Sequence, residues 1–344
     1  MAAVISRSNQ PQKRLSLLFQ RQVAPELEEL EALRQQQRQR FLLAAIATAA
    51  AVVGVPYLLW PIAFSWAVGS AIVLAAIGAV LLQHLTVVYQ NAVRRVVMPA
   101  VCEAIGDITH TVGAAPDLNF RTLKKIGLLP SHNRRSIDDV FTGQHRGTGF
   151  TMAEVKLRQR SNGYRGGSRN VFRGLVLAIR TPRKIPARIL IAKDGGLIGN
   201  RFKAWINSFS GLQQVPLRHG DFEQRFELYA DRPKVALETV TPSLCDSLAA
   251  LADAHEGAAL QGAFVDHAFF LAMPKKRNQF RVGSLFRSLD HLEAEVEGLL
   301  HDVQIIHRVI DYLHGDRPPL SREAPETAPD PTPADDTPAV VRRA

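Results

Sequence analysis

One apolar stretch, residues 41–88, constrains this chain most, because it contains no Asp, Glu, Lys or Arg. A helix needs about 20 apolar residues to cross a hydrocarbon core roughly 30 Å thick. The stretch is long enough for two such helices, and Pro56 and Pro61 fall where the first would end. It therefore predicts a transmembrane hairpin with helices over 41–60 and 67–88. The alternative is a buried helical hairpin of a soluble protein. It is less favoured, because a buried core helix rarely contains so long an apolar run.

Charge on either side of the hairpin predicts its orientation. The connecting turn is uncharged, whereas basic residues precede and follow the hairpin: Lys13, Arg14, Arg21, Arg34, Arg38, Arg40, Arg94 and Arg95. Because basic flanks stay on the cytoplasmic side, the sequence predicts that both termini are cytoplasmic. A cleaved signal peptide is not favoured, since the apolar run begins only at position 41.

The predicted fold class is α+β: an N-terminal two-helix transmembrane hairpin followed by a cytoplasmic mixed strand/helix domain with a long C-terminal helix. Runs of strand length come first and a regular helix comes last, which is typical of α+β domains rather than βαβ units. The predicted parts are a cytoplasmic N-terminal tail and juxtamembrane helix over 1–40, the hairpin, the domain over 89–315, and a tail over 316–344. That tail is predicted to be disordered, because it is rich in proline and acids and has few large apolar residues.

Local patterns predict individual elements. Residues 1–24 lack a clear period and are expected to be mobile. Helices are expected over 25–40 and 89–108, the second kinked at Pro99, and Thr241 is expected to cap another that begins at Pro242. A turn is expected over 111–117. Strands are expected over 149–158, 171–180, 187–193, 225–229, 235–240 and 260–272, the last as one strand or a strand pair.

The last predicted helix has the most regular apolar period in the soluble part. Steps of four and three residues join Leu285, Leu289, Leu292, Val296, Leu299, Val303, Ile306, Ile310 and Leu313. This pattern has two interpretations. The helix packs on its own sheet as an amphipathic helix, or it forms a coiled-coil seam with a second copy or another protein. For the second interpretation, the predicted helix-interaction face is Leu292, Leu299 and Ile306.

Three blocks of the soluble part resemble a family of bacterial membrane proteins called domain of unknown function 3137. The first block is the Asp-Asp-x-Phe-x-Gly of 138–143 with Gly147, Thr148 and Glu154, and the second is VFRGLVLAI over 171–179. The third comprises Phe222, Glu223, Phe226, Leu228, Tyr229, Val240, Thr241 and Pro242. The resemblance spans about 120–311 and implies an N-terminal pair of membrane helices. It implies no activity, and residues 218–221 replace an acidic dipeptide usual in the family.

Motifs for catalysis or cofactor binding are weak. Asp138 and Asp139, near His132 and His145, make a poor metal site because adjacent acids point in different directions. The Gly-rich runs 143–149 and 195–199 lack phosphate-loop and dinucleotide spacing and are interpreted as turns. Cys102 and Cys245 form no CxxC pair; they fit a reducing compartment and are interpreted as buried thiols. We therefore predict no catalytic, cofactor or metal residue.

The strongest signal outside the hairpin is basic charge. The chain has a formal net charge of +10, and residues 121–203 hold 19 Lys and Arg against four acids. Around the Gly- and Ser-rich loop 161–168, the predicted contacts for an anionic surface are Arg158, Arg160, Arg165, Arg169 and Arg173. Anionic lipid headgroups are the nearest such surface for a tethered domain. A solvated charged face that balances the acidic last helix is the alternative.

These observations predict a place and an architecture more clearly than an activity. The leading hypothesis is a non-catalytic scaffold or regulator at the inner membrane, in contact with the bilayer and with a protein partner or second copy. A membrane-tethered enzyme is the first alternative, with Asp138, Asp139 and Glu154 as its first candidate residues. Nucleic-acid binding through 121–203 is the second and is less favoured, because the region lacks a recognisable motif and has few aromatic residues for base stacking.

Overall fold

The computed structural model describes residues 10–61, 64–160, 167–193, 211–217, 219–254, 260–275 and 282–314. Several predictions therefore lie outside the described residues: the mobility of residues 1–9, the tail 316–344, the role of Arg165, and the turn over 195–199.

The described residues form eight α-helices and seven strands. The helices are α1 (Gln10–Leu18), α2 (Leu27–Leu59), α3 (Phe64–Ile105), α4 (Phe120–Ile126), α5 (Gly220–Glu223), α6 (Pro233–Thr239), α7 (Pro242–Ala254) and α8 (Leu292–Leu313). The strands are β1 (Ile108–Val112), β2 (Arg134–His145), β3 (Thr148–Arg160), β4 (Ser168–Lys193), β5 (Gln213–Gln214), β6 (Phe226–Ala230) and β7 (Gln261–Pro274). A π-helical turn (Phe19–Val23) and a 3-10 turn (Ala24–Glu26) join α1 to α2.

Two helical runs, Lys13–Leu59 and Phe64–Ile105, are long and apolar enough to span a membrane. Their large apolar side chains face outward, as lipid-facing residues do, and Val53 and Trp66 are 71% and 74% exposed. Gly78 gives the two helices room to approach, because a Cβ atom there would clash with Thr48. The two long apolar N-terminal helices are therefore confirmed. The pair α6–α7 passes the same test only as one segment bent by 72°, and its buried side chains belong to the domain core.

Both membrane helices continue into the soluble domain. α3 is 42 residues long, and its second half buries Tyr89, Val93, Val97 and Val101 completely, at a spacing of four residues. Pro99 lies inside α3, and the helix nevertheless continues to Ile105. No loop therefore separates the predicted second crossing from the domain.

The prediction of a mobile segment over 1–24 is wrong for the part that the structure describes. Residues 10–26 are helical, and Leu15, Phe19 and Val23 are 1%, 7% and 0% exposed in the domain core. Their apolar spacing of four residues is helical, but it covers little more than two turns. The isolated segment would be a marginal helix, so tertiary packing must supply its stability.

The domain is built around an antiparallel sheet in the order β1-β2-β3-β4-β6-β5, with β7 paired to β4. The 26-residue strand β4 is central: β3 and then β6 pair with one of its edges, and β7 follows its other edge. The two apolar runs predicted within β4 are thus one strand. Together with the helices, this sheet confirms the α+β class.

Each face of the sheet has its own core. On one face, α1, α3, α7 and α8 contribute to a core with strand residues such as Phe141 and Leu175. On the other face, α4 buries Phe120, Leu123 and Ile126 against the sheet.

Three local predictions are wrong in part or in full: the strand over 235–240, the helix over 89–108, which ends at Ile105, and the turn over 111–117, whose first two residues belong to β1. Residues 235–240, predicted as a strand, lie mostly in α6, where Pro233 occupies the first turn and presets helical φ. The short elements β1 and α4 were not predicted, because runs of five to seven residues carry too little periodicity. Thr241 caps α7 as expected, its Oγ1 accepting from Leu244 N at 3.3 Å.

Candidate functional site

A β-bulge in β2 gathers the acids that the sequence singled out. The register between β2 and β3 shifts after Ile137, so that Asp138 and Asp139 lie opposite Glu154 alone. Asp139 and Glu154 are 1% and 3% exposed. Asp138 is half buried and accepts a hydrogen bond from Ser136 Oγ at 3.0 Å. The bulge therefore brings the three candidate acids together in the sheet but buries only two of them.

Asp139 ties the membrane helix α3 to the sheet. Its Oδ1 lies 2.8 Å from His110 Nε2 in β1 and 3.1 Å from Arg94 Nη1 in α3. A buried carboxylate is stable only when it is paired, so these partners explain how Asp139 is tolerated in the core. Sequence reasoning missed this arrangement, because Arg94 had been assigned to the flank of the hairpin and β1 had not been predicted. We call Arg94, His110 and Asp139 the helix tie.

A groove of about 690 Å³ opens beside the helix tie, and Arg95, Cys102 and Thr109 lie along it. A histidine oriented by a carboxylate can transfer protons in an active site. Here Asp139 also pairs with Arg94, and the described residues offer His110 no hydrogen-bonded nucleophile. The helix tie pairs the buried carboxylate of Asp139 and holds α3 against the sheet.

Other catalytic and metal chemistry finds little support in the described part of the chain. No group of three or more His, Cys, Asp or Glu residues there is suited to a metal ion. Both cysteines are buried, and burial raises the pKa of the Cys245 thiol to about 12, which suppresses the nucleophilic thiolate. The run 143–149 contains the tight β2–β3 turn at Arg146 and Gly147, with φ of +52° and +76°, and its other residues belong to β2 and β3.

The contacts of α3 define two ends of the domain. Gln144 N donates to Asp107 O just beyond α3 (3.3 Å), and Asp139 contacts Arg94 farther back along the helix. The thirteen residues from Arg94 to Asp107 cover about 20 Å and the five from Asp139 to Gln144 cover about 17 Å, so α3 and β2 run side by side in the same direction. The start of β2 thus lies toward the apolar segment of α3. We call this the membrane end, and we call the β2–β3 turn the distal end.

A second set of contacts gives the same two ends. Before α8, Gly283 N donates to Glu295 Oε2 (2.9 Å), and a Cβ atom at Gly283 would lie 3.4 Å or less from Tyr89 and Val93 in α3. After α8, His314 Nε2 lies 2.8 Å from Thr148 Oγ1 at the distal end.

Phe286 marks the boundary between the domain and the apolar hairpin. Its ring meets that of Phe41, the first residue of the apolar stretch, edge to face at 5.1 Å, and it is 58% exposed. Arg34, about two helical turns farther from the hairpin, donates from Nη1 to Leu285 O at 3.2 Å. The segment before α8 therefore lies where the hairpin joins the domain.

The predicted anionic-surface residues that the structure describes, Arg158, Arg160, Arg169 and Arg173, lie at the membrane end. Arg158 pairs with Arg134 at the start of β2, and Arg160 pairs with Ser168 at the start of β4. Arg169 also lies at the start of β4, and the backbone of Arg173 accepts from Lys275 N (2.8 Å) just after β7. Arg158, Arg160 and Arg169 are exposed, whereas Arg173 is half buried and its Nε is without a partner among the described residues. Their contact with lipid stays a prediction.

The predicted interaction face of α8 packs within the chain in this structure. Leu292 and Ile306 are 2% and 0% exposed and belong to the core that α3 and α7 share. The side chain of Leu299 lies outside the described part. This placement matches the first interpretation of the helix, an amphipathic helix packed on its own domain.

The end of α8 is held at the distal end by a second Asp–His–Arg group, which we call the distal clamp. Asp311 Oδ1 lies 2.8 Å from His145 Nε2 and 3.3 Å from Arg146 Nη1. His145 stacks on His307 with ring centroids 3.9 Å apart. Burial, helped by the nearby His145, lowers the pKa of His307 to about 4. Sequence reasoning missed this group, because residues 145 and 311 are far apart in the chain and form no motif.

The helices, the sheet and these clusters define a class: a domain of antiparallel α+β fold on an anchor of two apolar helices. Residues 170–314 match the family described as Protein of unknown function (DUF3137), which is the family that the sequence resembles. The match includes the second and third family-like blocks and begins after the first. It also includes His307 and Asp311 of α8.

Comparison with solved structures gives a match of low similarity. The crystal structure of the mycobacterial trehalose monomycolate transport factor A, TtfA, is 9% identical in sequence, with a TM-score of 0.32. The match covers 58% of this chain and 88% of that chain. No curated protein matches the chain.

Proposed function

We propose that the protein is a non-catalytic scaffold or regulator of the bacterial inner membrane, with both termini in the cytoplasm. Its domain is held at a fixed height above the bilayer, with its basic end on anionic headgroups. The observation that carries this proposal is the continuity of α3 from the apolar hairpin through the domain core.

The helix tie supports the fixed height. α3 crosses one face of the sheet, and the buried pair between Arg94 and Asp139 adds a directional contact to its apolar packing. A domain on a flexible linker would sample many heights, whereas a continuous helix leaves few.

Charge supports the contact with lipid. Basic residues lie at the membrane end, and each one near an anionic surface contributes about 1 kcal/mol of attraction. The basic flanks of the hairpin favour the cytoplasmic side. The inner leaflet of the membrane is the anionic surface within reach of such a domain.

Association with a protein partner or a second copy through α8 belongs to the same proposal. Because Leu292 and Ile306 are buried, α8 can offer a partner only its exposed side, where Glu293 and Glu297 lie. The partner surface on α8 would then be acidic rather than apolar.

The test uses the full chain in nanodiscs of phosphatidylcholine alone or with phosphatidylglycerol. We expect amide hydrogen exchange over 156–160 and 168–173 to slow in the anionic discs and to recover at high salt. Arg158→Glu, Arg160→Glu and Arg169→Glu together should abolish this protection. The matched control is Arg180→Glu, Arg183→Glu and Lys184→Glu, three exposed residues farther along β4.

Two outcomes would contradict the proposal. Equal amide protection in both kinds of nanodisc, or an equal loss of protection in the control variant, would contradict the proposed contact with lipid. Labelling of Lys184→Cys by a membrane-impermeant thiol reagent in intact cells would contradict the proposed orientation, because we expect only Leu58→Cys, at the end of α2 next to the hairpin turn, to react.

A further inference from the structure

The cavity between α4 and the membrane ends of β4 and β7 is unused by the proposed function. It encloses about 830 Å³, within the range of about 300–1,000 Å³ typical of ligand sites. Its apolar walls include Leu128, Leu129, Phe172 and Pro274. It lies on the face of the sheet opposite α3, so the helix tie takes no part in it.

The rim of the cavity is cationic. The short helix α4 buries Phe120, Leu123 and Ile126, and this packing leaves Arg121, Lys124 and Lys125 exposed toward the cavity mouth. The described lining contains no Asp or Glu. Within the described part of the chain, the three basic side chains have neither an ion pair nor a side-chain hydrogen bond. An apolar interior with an unneutralised cationic rim is complementary to an anionic amphiphile.

The position of the cavity identifies the source of such a molecule. Val171 and Phe172 follow the start of β4, Pro274 ends β7, and the wall at Leu129 leads directly into β2. These segments all lie at the membrane end. The nearest anionic amphiphile is therefore a phospholipid of the bilayer that anchors the protein.

We propose that this cavity binds an acyl chain of an anionic phospholipid, and that Arg121, Lys124 and Lys125 hold its phosphate. The inference relies on the proposed function only for the position of the domain at the bilayer. Binding inside the cavity is otherwise separate from contact of the outer basic surface with headgroups.

The test uses the full chain in an uncharged detergent with a phosphatidylglycerol that carries a photoreactive group in its acyl chain. We expect crosslinks in peptides containing 128–131 and 171–172. A phosphatidylcholine probe with the same chains should give at least about tenfold less crosslinking, because it lacks the net negative charge.

Two variants separate the rim from the interior. Arg121→Glu, Lys124→Glu and Lys125→Glu together should reduce crosslinking at least about tenfold, and Ser131→Trp should block it by filling the mouth. Both sets of positions are exposed, so the fold should tolerate them. The control variant at Arg180, Arg183 and Lys184 should crosslink as strongly as the unmodified protein.

Three results would overturn the inference: equal crosslinking by both lipids, undiminished crosslinking in both variants, or crosslinks confined to the hairpin 41–88. The variant of Arg158, Arg160 and Arg169 distinguishes the two proposals. It should lose headgroup contact in nanodiscs while keeping the cavity crosslinks in detergent.

Discussion

The helix tie and the distal clamp use the same three side chains in different surroundings. In each, one aspartate oxygen contacts a histidine at 2.8 Å and an arginine slightly farther away. Asp139 in the tie is 1% exposed, whereas Asp311 in the clamp is 27% exposed. Water screens charges and solvates unpaired ones. The same three side chains therefore contribute more stability in the buried helix tie, which holds α3, than in the partly exposed distal clamp, which holds the end of α8.

The largest effect is expected at the helix tie. Asp139→Asn leaves the Arg94 guanidinium next to a neutral group in the core, and breaking a buried pair costs about 3–5 kcal/mol. The free energy of opening, measured by hydrogen exchange of β3 amides in the full chain, should fall by this amount. Asp311→Asn is the matched control. Equal losses in the two variants would show that the difference in burial between Asp139 and Asp311 does not determine how much each contributes to stability.

An intermediate effect is expected from acid at the distal clamp. His307 has a pKa of about 4 in the folded chain and about 6.5 when unfolded, so the unfolded chain binds the proton first as pH falls. Neutral His307 therefore makes its full contribution to the free energy of unfolding above pH 6.5, and this contribution is lost as the pH falls from 6.5 to 4. Because the ring is partly solvated, we expect a loss of about 1–2 kcal/mol.

His307→Phe provides the comparison, because it keeps a ring against His145 and Phe150 and removes the titrating group. The stability of the variant, followed by urea unfolding of the full chain, should fall less steeply between pH 6.5 and pH 4. The remaining slope belongs to other titrating groups of the chain. Parallel pH profiles would contradict the assignment to His307.

The smallest effect is expected from Asp311→Asn itself. Partly exposed ion pairs contribute about 0–1 kcal/mol, so the same hydrogen-exchange measurement should detect a loss below about 1 kcal/mol. Added salt should shrink that loss and leave the effect of Asp139→Asn nearly unchanged. A salt-sensitive loss at Asp139 would mean that water reaches the helix tie.

Sequence reasoning predicted the features that depend on long, continuous patterns. The uncharged run 41–88, the apolar period of α8 and the cap at Thr241 are local signals, and each matches an element of the structure. The family resemblance was equally accessible, since its motifs are contiguous.

The clusters were not predictable in the same way, because they depend on contacts between distant residues. His110 meets Asp139 only through the pairing of β1 with β2, and Asp311 meets His145 across 166 positions. The bulge that sets Glu154 opposite two aspartates is a property of register, which a single strand pattern does not encode. The cavity beside α4 likewise forms only where three separate segments of the chain meet in the folded domain.

The continuity of α3 also has a mechanical consequence. From Val88 to Ile105 the helix extends about 26 Å beyond the apolar stretch, so it is a lever arm embedded in the domain. Helices longer than the local bilayer tilt to bury their apolar length. A tilt of 10° would carry Ile105 sideways by roughly 4–5 Å and rotate the sheet with it. A change in membrane thickness would therefore change the angle between the domain and the bilayer.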